Sequence, residues 1–257
     1  RGVSDDKKRS GSAYRGILSP CIPVADVRRC PMDFVFMLTR EDQTVEDCLE
    51  VLAEIAPLGL RRIGFKDVGV DRPTLIALVR GIRALGATPC LEVVSTTRAA
   101  AERSIATAAE LGIEEVLGAQ EVDFALERLR GGGGRYFPFA GRPVGHPTRL
   151  RGSPEDIAAD CRRMRAAGCA GVDLLAYRAT DAEPLDLVRA ARGALDGGRL
   201  VVAGSVNSPA RIHALAAAGA DAFTIGSAAF DGSFSPRKGA LSSQLKDILE
   251  VCGASSA

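Results

Sequence analysis

The chain lacks the long apolar runs, the charge imbalance and the clustered metal ligands that would each point to a class of function. No apolar stretch approaches the roughly 20 residues that a membrane-spanning helix needs, and no signal-peptide core precedes the regular part of the chain. With 33 basic and 32 acidic residues the net charge is +1, so neither a basic field for nucleic acid nor an acidic tail exists. The seven cysteines (21, 30, 48, 90, 161, 169 and 252) are odd in number and scattered. None forms a C-x-x-C pair, which argues against zinc and thioredoxin-like chemistry and for a reducing, cytoplasmic setting. The G-x-G-x-x-G pattern of dinucleotide sites is also missing.

What the chain does have is an alternation. From Phe34 onward, short apolar runs that read as buried strands alternate with stretches of helical period. The strands are expected at 34–39, 62–67, 89–94, 114–118, 135–139, 171–177, 199–204 and 222–226. Helices are expected near 43–58, 72–86, 97–112, 121–130, 153–168, 184–195, 208–219 and 240–251. Start signals mark several of them: Thr44 before Val45-Glu46-Asp47, and Ser153-Pro154-Glu155-Asp156. Others end at Gly86, Gly112 and Gly168. Eight strand–helix units in 257 residues, with 46% hydrophobic residues to fill a core, describe a single α/β domain, a (β/α)8 TIM barrel. An open doubly wound sheet would place its phosphate loop after an early strand, whereas here the glycine turns come last. Residues 1–16 are polar and aperiodic and 19–23 add only a short apolar patch, so 1–31 are expected to form a leader outside a barrel that spans 32–257, with an ordered N-terminal cap as the alternative.

Those late turns are the most informative feature. Leu200-Val-Val-Ala-Gly204-Ser205 and Ala222-Phe-Thr-Ile-Gly226-Ser227 each end a strand in glycine and serine. Glycine lets the backbone approach a ligand closely, and serine adds a hydroxyl. Paired turns after the last two strands of a barrel commonly hold a phosphate group. A small phosphorylated metabolite is therefore the expected partner, with nucleic acid and membrane excluded by the composition and a homo-oligomer left open.

Catalytic groups should stand at the C-terminal ends of the strands. In Arg62-Ile-Gly-Phe-Lys-Asp67, alternation puts Gly64 and Lys66 on one face and Ile63, Phe65 and Asp67 on the other. Lys66 should point into the barrel mouth with Gly64 leaving room beneath it. There it is a nucleophile toward a carbonyl, a proton donor, or one half of a structural ion pair. Glu92 and Asp173 end neighbouring runs and could serve as its partner and as a general base. Asp173 is read in phase with Leu175 and Tyr177, and Arg178 follows. Asp67, of opposite phase, is expected to fix its own loop. Arg142 and His146 lie in a long loop on the same face, as an anion clamp and an acid–base group or as locally bonded loop residues. His213, inside the seventh helix, reads as structural. No spacing among Glu41, Asp42, Glu92 and Asp173 demands a metal, and no cofactor is called for.

The segment from Val201-Val-Ala-Gly-Ser-Val to Gly226-Ser-Ala-Ala-Phe230 resembles the ribulose-phosphate-binding barrel superfamily, which includes the histidine- and tryptophan-biosynthesis barrels, ribulose-phosphate epimerase and sugar-phosphate decarboxylases. The resemblance implies that Gly204, Ser205, Gly226 and Ser227 hold a substrate phosphate. An inward lysine in Phe65-Lys66-Asp67 is also similar to the furan-phosphate synthase barrels of methanofuran biosynthesis. The paired metal-binding histidines of the epimerases and the D-x-K-x-x-D of the decarboxylases are absent. The expectation is an isomerase or aldolase/lyase acting on a phosphorylated carbonyl metabolite. The alternatives are a flavin-mononucleotide oxidoreductase barrel and a catalytically silent phosphometabolite-binding protein.

Overall fold

In the computed structural model, residues 1–2 and 32–253 are described, so the expected leader lies almost wholly outside them. Eight parallel strands form the wall: β1 (Asp33–Met37), β2 (Arg62–Lys66), β3 (Thr88–Val93), β4 (Glu115–Gly118), β5 (Arg135–Phe137), β6 (Gly171–Leu174), β7 (Arg199–Val202) and β8 (Ala222–Ile225). Their order around the sheet runs β6-β7-β8-β1-β2-β3-β4-β5. The circle closes between β5 and β6, where Ala170 N–H donates to Tyr136 O (3.0 Å) and Asp173 N–H to Pro138 O (2.9 Å). Helices α1 (Cys48–Ile55), α2 (Arg72–Ala84), α3 (Arg98–Glu110), α4 (Val122–Leu129), α5 (Pro154–Ala167), α6 (Pro184–Ala194) and α7 (Pro209–Ala217) follow the first seven strands. A single turn, α8 (Ser227–Phe230), comes directly after β8 and before α9 (Leu241–Val251). Among the described residues no helix is long and apolar enough to cross a membrane.

Local chemistry explains the helix starts. In α5, Ser153 and Asp156 form a reciprocal capping box with Pro154 at the first turn, and Gly168 ends the helix at φ 101°. Asp71, Thr97 and Ser208 cap α2, α3 and α7 by accepting from Thr74, Ala100 and Arg211 N–H.

Two expectations are corrected. Thr44 does not start a helix: Gln43–Thr44 pairs antiparallel with Thr39–Arg40 in a small hairpin, and α1 begins only at Cys48. The sixth strand does not run to Tyr177. It stops at Leu174 and gives way to a 3-10 turn, Ala176–Arg178, so alternation no longer holds for Leu175, Tyr177 and Arg178.

The pleat divides the buried side chains between two cores. Ile63, Phe65, Leu91 and Leu200 pack outward against the helices, whereas Val35, Met37, Cys90, Leu117, Phe137, Val201 and Ala222 fill the barrel interior. Below this apolar layer, at the N-terminal ends of the strands, lies a layer of charge. Glu115, 1% exposed, accepts from Arg62 Nε (3.3 Å), Arg199 Nη1 (3.4 Å) and Arg135, while Arg62 and Arg199 also reach Asp33 (3.1 and 2.8 Å).

Glu115 is the hub of this layer. Removing one partner of a buried ionic cluster leaves the others uncompensated, which typically costs about 3–5 kcal/mol. Glu115→Ala is expected to lower the unfolding free energy by about that amount in urea denaturation. A loss within experimental error would mean that Arg62 and Arg199 find Asp33 or water sufficient.

Candidate functional site

At the C-terminal end of the barrel, above the apolar layer, a cavity of about 230 Å³ is bounded by charged groups on one side and by the two Gly–Ser turns on the other. Its charged side begins with Lys66. The Lys66 side chain comes off the end of β2 into the interior, and its neighbour across the β2–β3 register is Glu92. The space beside Gly64 is not empty, as the sequence suggests. Met37 occupies it, and a Cβ on Gly64 would collide with the Met37 sulfur.

Lys66 is held at both ends. Its backbone C=O accepts from the Thr44 hydroxyl (2.9 Å) and its N–H donates to the same oxygen (2.8 Å). Its Nζ donates to Asp42 Oδ1 (2.8 Å) and lies 3.4 Å from Glu92 Oε2. Lys66, Glu92 and Asp42 are each no more than 4% exposed.

Asp42 is a member of the site that strand alternation does not reveal. It reaches the cavity because the hairpin Thr39–Thr44 turns through only two residues, Glu41 (φ 48°) and Asp42 (φ 60°). Such tight hairpins need left-handed backbone at both turn positions, which aspartate tolerates better than most residues. The second carboxylate oxygen of Asp42 accepts from Arg178 Nη1 (2.6 Å) and Thr148 N–H (2.8 Å). Burial alone would raise the pKa of Asp42. The Arg178 hydrogen bond and the charges of Lys66 and Arg178 outweigh it and hold the carboxyl well below its usual range.

Asp173 is the opposite case. It is fully buried beside this group, and neither of its oxygens has a hydrogen-bond partner. Burial first, and then the negative charge of Glu92, push its pKa well above the normal value against the pull of Lys66 and Arg178. Two carboxyl groups around one lysine network are thus driven in opposite directions, a pattern common where protons are moved.

The two Gly–Ser turns complete the lining, and Arg178 reaches across to them. Gly204 (φ 76°) and Ser205 (φ 57°) are consecutive left-handed residues, and the Arg178 side chain lies directly over Gly204. Gly226 sits so close to the end of β1 that a Cβ would fall 2.6 Å from Thr39 Oγ1 and 2.8 Å from Thr39 O. Ser227 opens α8, where the first N–H groups have no partner within the helix. All four turn residues line the same cavity as Lys66 and Glu92.

Not every candidate gathers here. Arg142 and His146 are exposed on a hairpin of Arg142–Val144 with Arg149–Arg151, and neither lines the cavity. Their hairpin reaches the site only through Thr148, whose N–H donates to Asp42, while the Arg142 and His146 side chains stay on its exposed part. Tyr177 faces a neighbouring groove, with the Arg211 guanidinium 4.5 Å from its ring centroid, while Arg178 from the same turn points inward. Asp67 binds Val94 N–H (2.9 Å) and the hydroxyls of Ser95 (2.6 Å) and Ser104 (2.7 Å), tying its loop to the next unit. Among the described residues no group of three or more His, Cys, Asp or Glu is placed to hold a metal ion.

The unbonded carboxyl of Asp173 has a thermodynamic signature. Its folded pKa lies above the unfolded value of about 3.9, so the native state keeps a proton that the unfolded chain releases. Stability is therefore lost as pH rises above about 4, until the folded pKa is passed. Asp173→Asn is expected to melt above the parent at pH 8, with the gap closing as pH falls toward 4. Calorimetric scans across that range check this, and a variant that melts lower at pH 8 would show that the charged carboxylate stabilises the fold.

No protein-family model matches the chain, and no curated protein matches its sequence. Solved structures do match its shape. The tryptophan synthase alpha-subunit from the hyperthermophile Pyrococcus furiosus superposes with a TM-score of 0.60 at 15% identity, covering 88% of this chain and 99% of that one. The native KDPGal structure gives 0.59 at 14% identity, over 87% and 96%. FabK from Thermotoga maritima gives 0.54 at 13% identity, over 79% and 60%. At such identities the likeness is one of fold alone, and that fold is a (β/α)8 barrel.

Proposed function

We propose that the chain is an enzyme that binds a small phosphorylated, carbonyl-bearing metabolite and performs isomerase or carbon–carbon lyase chemistry on it. The observation that carries this reading is one cavity with a buried lysine on one side and two glycine–serine turns on the other. Backbone N–H groups and hydroxyls at Gly204-Ser205 and Gly226-Ser227 receive the phosphate, with Arg178 alongside Gly204. That anchor places the carbon chain across the cavity toward Lys66.

Lys66 then meets the carbonyl oxygen. Asp42 and Glu92 fix the position of Lys66 Nζ, from which it donates to that oxygen as negative charge develops there, the moment at which electrostatic help matters most. Glu92, which lines the cavity and touches Lys66, is placed to take or return a proton at the adjacent carbon. Asp173 does not line the cavity and its carboxyl has no hydrogen-bond partner, so it acts on Glu92 and Lys66 through its charge state alone. If a substrate displaces the carboxylates and Lys66 loses its proton, the same geometry allows a Schiff base, and the two modes are separable by experiment.

Thermal-shift measurements against three- to five-carbon phosphorylated aldehydes and ketones test the reading. A binder is expected to raise the melting temperature, its dephosphorylated parent to have no effect, and Gly226→Val to abolish the shift. With the substrate in hand, Lys66→Met is expected to lower turnover by about 10²–10⁴ without loss of fold. Borohydride trapping on the peptide that carries Lys66 marks a Schiff base. Full activity in Lys66→Met would sink the mechanism.

A further inference from the structure

The electrostatic balance of this cavity narrows its substrate class. Lys66 and Arg178 are the cations that line it, and both are already engaged by Asp42, at 2.8 and 2.6 Å. Glu92 stands beside Lys66, and Asp231 adds a further carboxylate at the rim. The two cations that flank Asp42, and the Arg178 hydrogen bond, favour its ionised form. Among the described residues, no uncommitted positive charge faces the end of the cavity where the carbonyl would lie. A phosphate at the opposite end is received by the backbone and hydroxyls of the Gly–Ser turns and by Arg178, whose charge Asp42 already offsets.

From this we infer that Asp42 and Glu92 act as a charge filter: the site accepts a phosphate ester whose reacting end is an uncharged aldehyde, ketone or hydroxyl, and rejects one bearing a carboxylate there. The inference rests on the phosphorylated-carbonyl reading above and deepens it. Bringing a second anion to within contact of Lys66 would press its charge against two buried carboxylates. Like charges brought together at low dielectric repel strongly, and such repulsion is a common source of specificity. Asp42 has a second role as a positioning residue. By holding Nζ of Lys66 and the guanidinium of Arg178 with its two oxygens, it fixes the spacing between carbonyl and phosphate ends.

Calorimetric titration of the full chain with two probes of equal carbon count, dihydroxyacetone phosphate and 3-phosphoglycerate, tests the filter, with inorganic phosphate as competitor. The parent is expected to bind the ketone at least about tenfold more tightly than the acid. In Asp42→Asn the preference should shrink to within about threefold, chiefly through tighter binding of 3-phosphoglycerate. Equal binding of the two probes by the parent, or an unchanged preference in a folded variant, overturns the filter while leaving the phosphate site standing. Failure of both probes and of inorganic phosphate to bind the parent removes the phosphate site and the filter with it. If circular dichroism shows that Asp42→Asn does not fold, Glu92→Gln reads the same repulsion from the other carboxylate. An unchanged preference there is equally fatal to the filter.

Discussion

The bond between Lys66 and Asp42 is the contact on which the upper half of the molecule is organised. A buried ammonium is costly unless compensated, and here the compensation comes from a hairpin rather than a barrel strand. Everything near the mouth follows from that choice. The hairpin must turn in two residues to deliver its carboxylate, the carboxylate must collect Arg178 as well as Lys66, and Thr148 must offer its N–H to complete the set. Three loops that are far apart in the chain are tied to one side chain.

The barrel carries two charged layers separated by an apolar one, and they are built on different terms. The lower layer sets Arg62, Arg135 and Arg199 against Glu115 and Asp33 and bonds both acids several times over, with Arg199 Nε left as its unbonded buried atom among the described residues. The upper layer contains Asp173 with both oxygens buried and unbonded, an arrangement that costs stability. Placement of the costly group at the mouth end matches the division of labour found in barrels of this kind, where one face serves stability and the other chemistry.

Much of this is legible in the sequence because barrel strands obey a strict alternation. Ile63 and Phe65 alone suffice to place Lys66 inward, and two glycines that end two strands mark the Gly–Ser turns. Legibility ends where the chain leaves the strands. Asp42 is visible as a residue but not as a participant, because Glu41-Asp42 lacks the Asn-Gly or Asp-Gly signature of a tight hairpin and Thr44 imitates a helix cap. Strand phase misplaces Tyr177, because a 3-10 turn replaces the strand after Leu174 and points it to a neighbouring groove, while Arg178, a candidate by its position at the strand end, lines the cavity. Arg142 and His146 share a face with the site in sequence order alone, and a hairpin whose pairing no local pattern announces takes them elsewhere.

The Thr44 hydroxyl, bonded to both the N–H and the C=O of Lys66, stands where a neighbouring strand would otherwise continue the ladder. Register pairing between β1 and β2 ends at Met37 and Gly64, and at Lys66 itself the wall is sealed by a side chain, with a main-chain bond resuming only from Thr44 N–H to Val68 O (2.9 Å). A ladder of main-chain bonds is indifferent to which amino acids carry it, but a hydroxyl is not. The seam beside Lys66 is therefore a part of the enclosure that a single codon can rewrite, which lets the aperture drift in evolution while the eight-stranded frame stays as it is.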